Sequence, residues 1–374
     1  MNTIIRNVFL NPEQVEKKVE MVIGYKVNSQ ANLKTEIQEY VVTEHISQNL
    51  EKVLEWIEQS MNGNLSETGA WVSGFYGSGK SSFTKYLGCA FDQDILIDGR
   101  PFADYLADQI EKKDVRQRLK TLTKRFNATV IMLDLATENT RVGKLPVSDT
   151  LLAHVRRWAG YSGFELIAEF EEHVRADGRW EELLEICPRW EEYHNQSIAA
   201  KPQAKEIAQQ MYPEVAFDFN SKDHLDLSVR EKVQKILKII RQKTACANIL
   251  FVIDEVGQYV GNNQNFILDM QGIAESLRDC NFEGGGSALL IATAQQMLTD
   301  TNEQTAVNSP YLYKLKDRFP LQINLESSDI AEICYRRLLK KSPEGETLLE
   351  KTFSEFGPRL ISRTKLSNNT CYGA

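Results

Sequence analysis

The sequence predicts an α/β fold, a mainly parallel sheet flanked by helices, with a large helical insertion. Three observations carry that prediction. The runs "NATVIMLDLA" (127–136), "ANILFVIDEV" (247–256) and "SALLIATAQQ" (287–296) are apolar enough for strands covered on both faces. Helical patterns lie between them, and such alternation implies parallel strands joined by right-handed crossovers. A glycine-rich loop, "GFYGSGKSS" (74–82), sits between a short apolar run and a helical pattern.

Taken in order, residues 1–66 read as a helical lead-in packed on the core. Within it Ile46, Leu50, Val53, Leu54 and Ile57 share one helical face, and Thr43 is placed to cap the helix. "NGNLSETG" is a turn-rich break and "AWVSGF" a buried strand. "KSSFTKYLGCAF" follows with Phe83, Tyr86 and Leu87 at helical spacing. The core should run over 67–326. Lys80 and Asp254 are 174 residues apart, more than a compact core needs. The charged, mostly helical stretch at about 147–245 is therefore read as an insertion, with turns at "ADGR" and near Pro202. Gly284–Gly286 should make a tight entry to the 287–296 strand, and "FPLQINL" (319–325) reads as a last strand. "SSDIAEICYRRLLKK" predicts a helix from about Ser328, the start of a helical lid over 327–374. The final "SNNTCYGA" has no periodicity and reads as disorder or as the end of a chain cut short.

Bulk properties narrow the function class. The 374 residues are 42% hydrophobic and 26% charged, the balance of a globular domain. No apolar run approaches the roughly 20 residues that span a bilayer, and the N-terminus lacks the features of a secretory signal. Cys89, Cys187, Cys246, Cys280, Cys334 and Cys371 are scattered without a CxxC, which suits reduced thiols in a cytoplasm. The five histidines show no metal-ligand spacing. A net charge of −8 argues against nucleic-acid binding by the surface as a whole. One basic segment, 111–126, carries seven basic and two acidic residues and reads chiefly as a solvated helix face.

The glycine-rich loop carries the chemistry. Gly74-Phe75-Tyr76-Gly77-Ser78-Gly79-Lys80-Ser81 fits G-x-x-x-x-G-K-[ST] at every fixed position. Its glycines let successive N–H groups, from Tyr76 to Ser82, turn toward phosphate oxygens. The following helix adds its positive N-terminal end. Lys80 would reach the β- and γ-phosphates, and the Ser81 hydroxyl is placed for Mg²⁺. "ILFVIDE" supplies the second acidic strand end: Asp254 for the Mg²⁺ shell and Glu255 to polarise the attacking water. Thr293 or Gln295, ending the third run, is placed to sense the γ-phosphate. Arg318, just before the last strand, is a candidate to stabilise transition-state charge in a neighbouring subunit. Asn139 is a candidate restraint on Glu255. An Asn-Lys-x-Asp guanine segment is lacking, which favours ATP, and "EGGGSALL" is not an LSGGQ signature.

The order of these motifs resembles an AAA+-type ATPase core. More narrowly, "YVVTEHI" followed by "GAWVSGFYGSGKSSFTKYL", with "FVIDEVGQYVG", is similar to the N-terminal part of the large P-loop ATPase of BREX phage-defence systems, BrxC, and its relative PglY. The resemblance covers roughly residues 1–340. It implies a bacterial cytoplasmic ATPase, oligomeric, acting with a DNA methyltransferase and other BREX components, with Tyr40–Thr43 near the nucleotide. Members are typically over a thousand residues long, so most of the expected C-terminal part is not in this sequence. An alternative class stays open: a nucleotide-gated scaffold or STAND-like switch that recruits partners with little turnover.

Overall fold

Five parallel strands form the central sheet of the computed structural model: β1 (Gly69–Gly74), β2 (Ala128–Asp134), β3 (Asn248–Asp254), β4 (Ala288–Ala294) and β5 (Leu321–Leu325). Their order is β2-β3-β4-β1-β5, so β4 separates the strand of the glycine loop from the acidic strand β3. The structure describes residues 5–10, 12, 30–63, 67–138, 144–219, 227–244, 246–284, 286–295, 297–298, 312–326 and 328–364.

Alternation along each strand divides the core between two faces. Ala70, Val72, Val130, Leu250, Val252, Leu289, Ile291 and Ile323 pack on one side. There they meet the helices Gln30–Gln38, Glu44–Met61, Lys80–Phe91, Phe102–Gln109 and Lys113–Arg125. Trp71, Ile131, Leu133, Phe251, Ile253 and Leu290 pack on the other, against Val147–Ala159, Val229–Thr244 and Gln264–Gly284. Both faces are covered, which is why the strands read as unbroken apolar runs.

The helix Glu44–Met61 buries Ile46, Leu50, Val53, Leu54 and Ile57, and Thr43 caps it by accepting the Ile46 N–H at 3.1 Å. Between β2 and β3, Val147–Ala159 and Val229–Thr244 lie in the sheet's own helix layer. The helices Glu165–Ala176, Trp180–Ile186, Trp190–Tyr193 and Ser197–Met211 build a separate cluster around Phe170, Trp190 and Ile207.

Two local expectations are corrected. Pro202 marks no turn; it lies inside the helix Ser197–Met211. A proline there removes one helical hydrogen bond at a cost of about 3 kcal/mol. Burial of Ala200, Ala204, Ile207, Ala208 and Met211 holds the helix together regardless. Of the glycines at 284–286, Gly284 still belongs to the long helix and not to the entry of β4, and Gly285 lies outside the described residues. Gly286 is needed for space: a Cβ there would stand 2.2 Å from the Ala247 carbonyl oxygen. The 365–374 tail lies outside the described residues.

Candidate nucleotide site

The loop between β1 and the helix Lys80–Phe91 departs from the C-terminal end of a central strand. Gly74, Gly77 and Gly79 have φ of 156°, 80° and 90°. The last two are left-handed values that a residue with a side chain resists. Gly74 is constrained by space as well: a Cβ would meet Ser78 Oγ at 2.5 Å and the Leu325 carbonyl oxygen at 2.6 Å. Gly79 begins the helix in the left-handed region with no side-chain cap, leaving the first-turn N–H groups of Lys80, Ser81 and Ser82 without helical partners. Ser81 and Ser82 are half-buried, whereas Phe75 and Tyr76 project from the loop, 72% and 75% exposed.

Lys80 is buried, and its Nζ donates to the Gly74 and Phe75 carbonyl oxygens, each at 3.0 Å. The ammonium thus sits inside the curl of the loop. Burial lowers it from its ordinary value, against the opposing pull of the Glu255 and Asp254 charges.

Strand register brings the acidic residues to the same edge. Ser73 is level with Ala294, Ile253 with Ala292, and Asp254 with Asp134. The Thr293 hydroxyl donates to Asp254 Oδ1 and accepts the Glu255 backbone N–H at 2.9 Å. Glu255 follows the strand at φ 59°, a left-handed conformation unusual outside glycine. The next helix, Val256–Val260, starts at once and crosses β4 so closely that a Cβ on Gly257 would stand 2.5 Å from Ala294 Cβ. Gln295 follows β4 beside this crossing, its backbone N 3.9 Å from the same point. Burial pushes the Glu255 carboxyl up, the Asp254 and Asp134 charges add to that, and Lys80 opposes it. Asp134 is also pushed up, chiefly by burial, with the Ala136 N–H holding it down and Asp254 adding to the rise.

The site therefore joins Gly74, Tyr76, Gly77, Ser78, Gly79, Lys80, Ser81, Ser82, Asp254, Glu255, Thr293 and Gln295 at one end of the sheet. Arg318 is elsewhere. Its carbonyl oxygen abuts Gly69, at the opposite end of β1 from Gly74. Six residues of strand separate the two ends, roughly 17 Å. Arg318 is bound there by Glu275, with Nε donating at 2.8 Å, and by Glu67, with Nη1 donating at 3.1 Å. Asn139 lies outside the described residues. Asp134 is the residue the sequence reading missed; its signal was present, since "VIMLD" ends its strand as "LFVID" ends the next.

The Tyr40–Thr43 segment packs beside the loop's helix, with the Tyr40 ring edge-on to Tyr86 at 4.7 Å. Thr43 Oγ1 donates to Asp329 Oδ1 at 2.5 Å, and His45 Nδ1 lies 2.8 Å from Asp329 Oδ2. Asp329 belongs to the helix Ser328–Cys334 that follows β5. A cleft of about 370 Å³ opens here, lined by Tyr40, Val41, Val42, Gln109, Arg336 and Arg337 among others.

The residues fit a triphosphate and a divalent cation on two observations. Ser78 Oγ and Glu255 Oε2 are buried without a hydrogen-bond partner, one in the loop and one just after the acidic strand. The loop backbone at Gly74 is also packed too closely on Ser78 and Leu325 to admit a side chain, which fixes the curl of the loop. The fold is α/β, a five-stranded parallel sheet flanked by helices, consistent with a P-loop NTPase.

No protein-family model matches the sequence. Among solved structures, the chain is similar to the Aeropyrum pernix ORC1 protein, determined in complex with DNA. The TM-score is 0.35 and the identity 11%, over 86% of this chain and 59% of that one. The chain thus spans under two thirds of that protein. Among the described residues, no helix is long and apolar enough to cross a membrane.

Proposed function

We propose that the chain binds ATP with Mg²⁺ on the 74–82 loop and hydrolyses it, as the cytoplasmic P-loop component of a bacterial BREX-type anti-phage system. In this reading nucleotide state is coupled to assembly of a homo-oligomer or to partners such as a DNA methyltransferase. One observation carries the ATPase part. Lys80, Asp254, Thr293 and Glu255 meet at one sheet edge, with one Glu255 oxygen buried and unpartnered. The defence role and its partners rest on the resemblance of "YVVTEHI", "GFYGSGKSS" and "FVIDEVGQYVG" to that family.

Each residue has a role under this reading. Backbone N–H groups of the loop from Tyr76 to Ser82 bind phosphate oxygens. Lys80 exchanges its two carbonyl partners for phosphate. Ser81 and Asp254 hold Mg²⁺, which when bound supplies neutralisation of phosphate charge. Glu255 orients a water and accepts its proton. Thr293 fixes both acidic residues at once, and Tyr40–Thr43 borders the base. The domain plan is a lead-in over 1–66, a core over 67–326 and a lid from 327.

A scaffold with little turnover is the second reading. Arg318 bears on it: tied to Glu67 and Glu275 at the far end of β1, it reaches no phosphate of its own chain and could act on turnover only from a neighbouring subunit. Phosphate release by the parent chain and by Glu255→Gln separates the two. The ATPase reading expects release by the parent, and ATP binding without release by the variant. Binding without release by the parent, alone and as an oligomer, would establish the scaffold.

A further inference from the structure

The helical segment between β2 and β3 carries a groove that nucleotide chemistry does not use. It has a volume of about 660 Å³ and runs between the helices Glu165–Ala176 and Val229–Thr244. Its charged lining sets Glu172 against Arg175, Lys235, Lys238 and Lys243.

Pairing inside the fold sharpens the imbalance. Arg156 donates to Glu172 at 3.1 Å and to Glu169 at 2.7 Å, and Lys235 lies against both carboxylates. Those two cations neutralise the two anions. Arg175, Lys238 and Lys243 remain, and among the described residues none of them has a carboxylate within ion-pair distance. Arg175 is held instead over the rings of Trp180 and Tyr161, at 4.0 and 4.7 Å. Lys243 stands over the Trp158 ring at 4.6 Å and donates to the Trp158 carbonyl oxygen. Burial lowers the Lys243 ammonium, and the Arg175 charge pushes it the same way. Two of these three like charges are held by aromatic rings, and among the described residues the carboxylate lining the groove, Glu172, is already paired with Arg156 and Lys235.

The basic segment that stands out in the sequence behaves differently. On the helix Lys113–Arg125 and its entry, Arg118 pairs with Glu55, Lys120 with Asp104 and Lys112 with Glu44, while Arg116 donates to the Ile110 carbonyl oxygen. Much of that charge is cancelled by neighbouring helices.

We propose that the groove between Glu165–Ala176 and Val229–Thr244 takes the phosphate backbone of a nucleic-acid strand, with Arg175, Lys238 and Lys243 as its cations. The groove's shape favours a chain of phosphates over one small anion. Gln234, Lys238 and Gln242 are exposed at successive turns of one helix face, a row of about 12 Å. A small anion would need donors converging on a point. The overall charge of −8 opposes approach at a distance. At physiological salt that repulsion is screened beyond about 8 Å, so the binding is local and strongly salt-dependent.

The test is fluorescence anisotropy of the full chain with a labelled single-stranded DNA of about 20 nucleotides, at about 0.05 to 0.2 M salt. Lys238→Glu and Gln242→Glu are at exposed positions, so neither disturbs the core. Each is expected to weaken binding about tenfold or more. Lys238→Gln should flatten the slope of log affinity against log salt by about 0.7, the loss of one phosphate contact. Lys124→Glu, on the other basic helix, should leave binding unchanged, and all four variants should bind ATP like the parent. Three results would overturn the proposal. The parent fails to bind the strand at low salt; or Lys238→Glu binds like the parent; or Lys238→Glu loses only a calorimetric signal with inorganic phosphate, which makes the groove a small-anion site.

Discussion

Thr293 and Asp254 are hydrogen-bonded across the boundary between β4 and β3, and the same threonine hydroxyl accepts the backbone N–H of Glu255. One buried side chain therefore sets the carboxylate assigned to the cation and the backbone of the residue assigned to water. Thr293→Val keeps the shape and removes both bonds. It leaves a buried N–H and a carboxylate oxygen unsatisfied, at about 1–3 kcal/mol each. Chemical denaturation should show a combined loss of about 2–6 kcal/mol, and Thr293→Ser should restore most of it. A valine variant as stable as the parent would remove Thr293 from this role.

Glu255 gives a pH signature. Its folded-state carboxyl is raised above the ordinary value of 4.5, by burial first and then by neighbouring charge. Between the ordinary value and the raised one, the folded state binds more protons than the unfolded state. Stability therefore falls as pH rises through that window, and above it the ionised group is a standing cost. Glu255→Gln removes that cost. Its Tm should exceed the parent's at pH 7–8, and the gap should close as the pH is taken below about 4. Thermal melts across this range check the sign, and a gap that widens in acid contradicts it.

Arg318 separates turnover from folding. Its ion pairs with Glu67 and Glu275 are partly exposed, and such pairs contribute about 0–1 kcal/mol. Arg318→Ala should therefore unfold close to the parent. If Arg318 acts on a neighbouring subunit's nucleotide, steady-state phosphate release should drop at least about tenfold with ATP affinity unchanged. Equal turnover in parent and variant would leave Arg318 a structural ion pair.

Much of the sheet and the loop was legible in the sequence because strands buried on both faces leave unbroken apolar runs. Regions 127–136, 247–256 and 287–296 became β2, β3 and β4 with small shifts at their ends. The Gly74–Ser81 spacing is a local feature and could be read locally. What escaped depends on tertiary packing. Pro202 reads as a breaker until the alanines around it are seen buried. Asp134 reads as a strand end until register sets it level with Asp254. The groove on Val229–Thr244 was hidden because sequence counts charges without showing which are neutralised. Lys120 pairs with Asp104, whereas Lys238 has no such partner among the described residues.

Glu171 tests whether the cluster between β2 and β3 is a unit of its own. Its carboxylate is fully buried and accepts the Trp190 indole N–H at 2.7 Å and the Ser162 N–H at 2.5 Å, with His194 Nδ1 at 2.7 Å. Glu171→Ala strands those polar groups, and each buried donor left without its acceptor costs about 1–3 kcal/mol. Hydrogen exchange should rise over residues 165–211 while the β1–β4 amides stay protected. Uniform loss of protection would show that the cluster and the sheet unfold together.

The most direct test is calorimetric titration of Mg–ATP into the parent chain and into Lys80→Ala. Lys80 lies inside the curl of the loop, where its ammonium donates to the Gly74 and Phe75 carbonyl oxygens, so its loss should not unfold the chain. The account predicts saturable one-to-one binding by the parent, and in the variant a loss of about 2–3 kcal/mol, or roughly 30- to 150-fold in affinity. A parent that takes up no Mg–ATP, or a variant that binds it equally well, would contradict the account.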